Sequence, residues 1–91
     1  MIMKQKNMAM PQTKKLIETL KADSNKKIVG VLEGLPAVIN VRVNKGVITM
    51  VDPISTMFVS TVVTRDWEKI TERLFWAKMN NPGIVMWTES L

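Results

Sequence analysis

Four β-rich segments follow one another with almost nothing between them: residues 27–33 (KIVGVLE), 37–44 (AVINVRVN), 46–52 (GVITMVD) and 57–64 (MFVSTVVT). Their connections are Gly34-Leu35-Pro36, Lys45 with Gly46, and Pro53-Ile54-Ser55. Linkers this short join antiparallel neighbours, because a parallel pair needs a crossover of a dozen residues or more. The chain thereby reads as an antiparallel meander, and a helix followed by such a meander is the element order of a small barrel.

Period-two alternation sorts the side chains of each strand between two faces. In the second strand Ala37, Ile39, Val41 and Val43 share one face, and Val38, Asn40, Arg42 and Asn44 the other. That strand is half-buried with its polar side outward. The third sets Ile48, Met50 and Asp52 against Val47, Thr49 and Val51, apolar on both sides. In the fourth, Phe58, Ser60 and Val62 oppose Met57, Val59, Thr61 and Val63. Asn44-Lys45-Gly46 reads as a tight hairpin with Gly46 at positive φ. Asp52-Pro53 ends the third strand, since proline has no N–H for a ladder.

Helical spacing frames the meander. Pro11 suits the first position of a helix reaching Ala22, with Leu16, Ile17 and Leu20 as its apolar stripe. The stripe is narrow, as for a helix lying on a barrel. Residues 1–9 read as a flexible arm. Thr64 is the expected N-cap of a second helix running to about Met79, with Asp66 and Glu68 in its first turn. Trp67, Ile70, Leu74 and Ala77 form its buried stripe, while Trp76 falls on the opposite side. Asn80-Asn81-Pro82-Gly83 breaks the helix, and residues 84–88 (IVMWT) make a fifth strand.

Size and composition narrow the function classes. Ninety-one residues make one domain, small enough to need reinforcement. There is no cysteine for disulfides or thiolate metal sites, and no histidine. With 46% apolar residues, eight Met and three Trp, oligomerisation is the expected reinforcement. No run approaches the ~20 apolar residues of a membrane span. The start of the chain lacks the apolar core of a signal peptide, which points to a soluble intracellular protein. Catalysis has poor material: no His, Cys or Tyr, and an Asp66–Glu68 spacing that does not face two carboxylates together on a helix. The expectation is a non-enzyme without a cofactor. The formal charge of +5 is one-sided: residues 1–27 hold seven lysines against Glu18 and Asp23, while the remainder is balanced. One-sided basic charge fits a polyanionic partner, and fits equally a solvated lysine face.

One helix followed by five strands resembles the Sm-like fold shared by Sm, LSm and bacterial Hfq proteins. Residues 27–34 (KIVGVLEG) resemble the first half of the first Sm motif, and residues 60–63 (STVV) are similar to the end of the last Hfq strand. The chain looks most like divergent Sm-like proteins of marine phage or cyanophage type, with a helix inserted before the last strand. Asn44 and Lys45 stand where that motif carries an aspartate and an aromatic residue. Arg65 is the only arginine near the position of the second motif's arginine–glycine.

The resemblance implies a mainly β fold: a five-stranded small barrel of the SH3 type over residues 10–91, with an N-terminal helix and a second helix before the last strand. It also implies a ring of about five to seven copies, built by pairing the fourth strand of one with the fifth of the next. Such a ring would bind nucleic acid, RNA ahead of DNA, in processing or chaperoning, in the cytoplasm of a bacterium or a phage-infected host. Arg42, Asn44, Lys45 and Arg65 would line a pore-side site, cations on phosphates and Asn44 on base edges or the 2′-OH. Lys14 and Lys15 would add a less specific basic surface. The same hairpin residues also satisfy a simple turn. The alternative is a phage protein-interaction or inhibitor module that binds no nucleic acid, using Trp76, Trp87 and Met1, Met3, Met8 and Met10 as adhesive contacts.

Overall fold

A computed structural model describes residues 2–55 and 60–91. In chain order the elements are α1 (Ile2–Ala22), β1 (Lys26–Val31), β2 (Val38–Asn44), β3 (Val47–Val51), β4 (Thr61–Thr64), α2 (Trp67–Asn80) and β5 (Val85–Ser90). The strands form one antiparallel sheet in the order β4-β3-β2-β1-β5. Three connections lay down β1 to β4 as the antiparallel meander the sequence requires. The chain then crosses through α2 to place β5 beside β1, at the opposite end of the sheet.

The alternation in β2 is realised as expected: Ile39 and Val41 are fully buried, while Val38, Arg42 and Asn44 are exposed. Register carries the inner face across the sheet, from Ile28 to Val41 to Met50 to Val62. Both helices cover this face. Ile17 and Leu20 come from α1, and Ile70, Leu74 and Ala77 from α2. Ile84, just before β5, completes the core. The opposite face has no helix among the described residues. Gly30 lies on the inner face, where an added Cβ would meet Met86 Cγ at 3.1 Å and Ile39 Cβ at 3.2 Å. A bare backbone lets β1 fit under its neighbours there.

Several boundaries differ from expectation. Helix α1 begins at Ile2 and takes in the residues read as an arm, so Pro11 is inside the helix instead of at its start. Proline tolerates helical φ but leaves the carbonyl of residue 7 without its usual donor. The N-cap of α2 is Asp66, not Thr64: the Asp66 carboxylate accepts from the Glu68 N–H at 3.0 Å. Thr64 holds the preceding turn, its hydroxyl accepting from the Asp66 N–H at 3.0 Å. Strand β4 starts at Thr61; Met57, Phe58 and Val59, expected in it, lie outside the described residues. Strand β5 runs two residues beyond Thr88. The sheet order is linear, so β4 and β5 are its edges among the described residues. No described helix is long and apolar enough to cross a membrane.

Asp52, expected with Pro53 to end the third strand, is also a buried charge. Its side chain is 1% exposed, and Oδ1 accepts from the N–H groups of Ile54 and Ser55 at 3.1 and 3.0 Å. Arg73 of α2 lies at 3.7 Å from Oδ2, an ion pair just beyond hydrogen-bond range. The pair ties the start of the β3–β4 connection to the second helix. Asp52→Ala should lower stability by about 3–5 kcal/mol, because it removes both the turn acceptor and the partner of a buried cation. Asp52→Asn, which keeps an acceptor at Oδ1, should lose less. Urea midpoints of the two variants test this; equal, small losses would demote the ion pair.

Candidate nucleic-acid interface

The β2–β3 hairpin turns on two residues. Asn44 pairs with Val47, leaving Lys45 and Gly46 as the loop at φ +51° and +81°. Positive φ at both central positions is the turn whose twist matches the flanking strands, and its usual first residue is Asn, Asp or Gly. Lys45 is the one non-glycine residue at positive φ among the described residues. Left-handed backbone costs an ordinary side chain roughly 1–2 kcal/mol, so the turn carries a lysine at a stability cost. Strain of this kind is a pointer to function, because a turn former was available.

Arg65 joins the hairpin from the β4–α2 connection. Its Nη1 donates to the Lys45 carbonyl at 3.5 Å, and an added Cβ on Gly46 would sit 3.1 Å from the same nitrogen. Two exposed cations 20 residues apart in sequence thus share one turn. On the open face beside the turn, Arg42 and Asn44 line a cleft of about 520 Å³ with Ser24, Asn25 and Thr49. The structure therefore brings Arg42, Asn44, Lys45 and Arg65 to one end of the sheet.

Lys14 and Lys15 do not join them. Lys14 lines the α1–α2 groove, which also holds Glu18, Asp66, Glu68 and Glu72. Those carboxylates outnumber Lys14 and Lys21 and make the groove a poor seat for an anion. Lys15 borders a different groove of about 510 Å³ between α1 and β5, beside Leu16, Ile84 and Met86. Successive residues on a helix are 100° apart, so the expected single basic surface is split in two.

In sequence, Trp87 stands out only as an adhesive contact. In the fold it projects from the helix-free face, in the row Trp87, Val29, Asn40, Val51, Thr61 that the strand register aligns. Its Nε1–H donates to Glu89 Oε1 at 2.9 Å, which fixes the indole. Alternation along 84–88 carries the signal, but the face can be named only once β5 is seen to pair with β1. Trp76, 41% exposed on α2, is on the far side from the α2 core stripe, as expected.

No family model, curated protein or solved structure matches the chain.

The turn geometry makes a paired prediction. Lys45→Asn should raise stability by about 0.5–1 kcal/mol, and Gly46→Ala should lower it by about 1–2 kcal/mol. Thermal melts followed by circular dichroism test both; a destabilised Lys45→Asn would mean that the lysine contributes to the fold.

Proposed function

We propose that the chain is an Sm-like subunit that assembles edge to edge into a ring and holds single-stranded nucleic acid, RNA ahead of DNA, without catalysing a reaction. The observation that carries this reading is the identity of the two sheet edges. They are β4 and β5, the strands through which Sm-like subunits pair from one copy to the next. An unpaired strand edge is a liability for a protein on its own. Pairing β4 of one copy with β5 of another removes both edges, and a head-to-tail contact of this kind closes into a ring when its rotation allows. Each copy would then present Lys45 and Arg65, with Arg42 and Asn44 beside them, and weak contacts would add around the axis. Phosphates would be held by the cations and base edges by Asn44. A role in RNA processing or chaperoning fits a binder with no catalytic group.

The helix-free face favours a second reading, a phage protein-interaction or inhibitor module. Val38, Val51, Val63, Val85 and Trp87 are exposed there, and exposed apolar patches mark partner sites. A partner that survives nuclease treatment in a pull-down would favour this reading.

Native mass spectrometry with and without a short U-rich RNA tests the ring. A closed assembly of about five to seven copies that takes up RNA is expected. A monomer indifferent to RNA ends the proposal. In the ring, Lys45→Glu should weaken RNA binding and flatten the dependence of log K on log salt by roughly 0.7 for each phosphate the protein no longer neutralises. An unchanged slope would remove Lys45 from the site.

A further inference from the structure

The helix-free face of the sheet has a polarity along its strands. At one end stand Val85, Val31 and Val38, aligned by register. In the middle are Trp87, Val29, Asn40 and Val51. At the other end Glu89 opposes Lys27, and Arg42 opposes Thr49. Beyond Arg42 come Asn44 and the Lys45–Arg65 turn. The face thus grades from apolar, through one indole, to a cluster of cations, with the exposed Val63 of β4 beside Thr49 at the cationic end.

A second copy of the chain fits this face badly. If the two-fold axis runs along the strands, the middle strand β2 faces its own copy, and Arg42 meets Arg42. If the axis runs across them, Lys27, Arg42 and Glu89 are pressed onto Val85, Val31 and Val38. Either arrangement buries charge without a partner. A flat apolar ligand with an anionic chain on one side fits without that cost.

We propose that this face is a base-stacking platform for single-stranded nucleic acid, with Trp87 as the stacking residue and Lys27 and Arg42 as phosphate contacts. The proposal rests on the nucleic-acid reading above and gives it the aromatic group the hairpin lacks. Trp87 is 37% exposed, and its N–H is already engaged by Glu89, so the ring is held in place before a base arrives. Stacking on an indole tolerates any base, as non-specific single-strand binding requires. Val85, at 58% exposure on the same strand face, extends the apolar floor. Asn40, across Val29 from Trp87, has a buried amide oxygen with no hydrogen-bond partner. A strand laid across the face toward β2 would carry its phosphates away from Glu89, to Arg42 and on to the Lys45–Arg65 turn.

Photocrosslinking of the unaltered protein to a short 4-thiouridine-containing oligouridine provides the test. An adduct on Trp87 is expected. Trp87→Ala should weaken oligouridine binding by roughly five- to hundredfold, and Trp87→Phe, which still stacks, by no more than about threefold. The crosslink does not depend on either variant folding. Adducts confined to the Lys45–Arg65 turn, with binding unchanged in a folded Trp87→Ala, would overturn the platform and leave the hairpin reading standing. A protein that takes up no oligonucleotide, but loses a concentration-dependent self-association on Val85→Asp, would overturn both and assign the face to a second copy.

Discussion

Everything in this molecule follows from a sheet that carries both of its helices on one face. Ile28, Ile39, Val41, Ile48 and Met50 are fully buried on the inner side, each worth roughly 1.5–3 kcal/mol against exposure. A slip of one residue in any pairing would turn that set outward, so the apolar alternation holds the register. It also obliges α1 and α2 to lie together on the same side. What remains, among the described residues, is a face without a helix, and strands β4 and β5 with one neighbour each. The candidate site is a by-product of this economy. The hairpin, Arg65 and the end of the open face come together because the register brings them to one end of the sheet.

The local half of this arrangement was legible in the sequence. Alternation placed Ile39, Val41 and Val43 inward and Arg42 and Asn44 outward. Lys45-Gly46 announced a two-residue turn, and the stripe of Trp67, Ile70, Leu74 and Ala77 announced the packed side of α2. Local ambiguity explains the boundary errors. Thr64 and Asp66 are both good caps two residues apart, and propensity does not choose between them. Pro11 is compatible with a helix start and, at a cost, with a helix interior.

The long-range half was not legible, for a different reason. Asp52 looks like a turn residue in sequence because its partner Arg73 lies far along the chain, on another element. Arg65 reaches Lys45 only through the pairing of β3 with β4. Lys14 and Lys15 are adjacent in sequence, yet α1 aims them into separate grooves. Trp87 gains its place on the helix-free face only through the pairing of β5 with β1. In each case the missing information is a contact between elements that no local pattern encodes.

The pairing of β1 with β5 has a temporal consequence. Residues 26–31 lie between β2, which follows at once, and β5, which is made only after β4 and α2. Until residues 85–90 have left the ribosome, β1 is a bare edge and Ile84 is missing from the core. The meander therefore emerges before the pieces that complete it. Closing so distant a pair slows folding, because chain entropy is lost before contacts repay it. During that interval the unfinished sheet presents an apolar strand to its surroundings, so growth of the nascent chain, more than any property of the finished protein, sets the window in which a chaperone would matter.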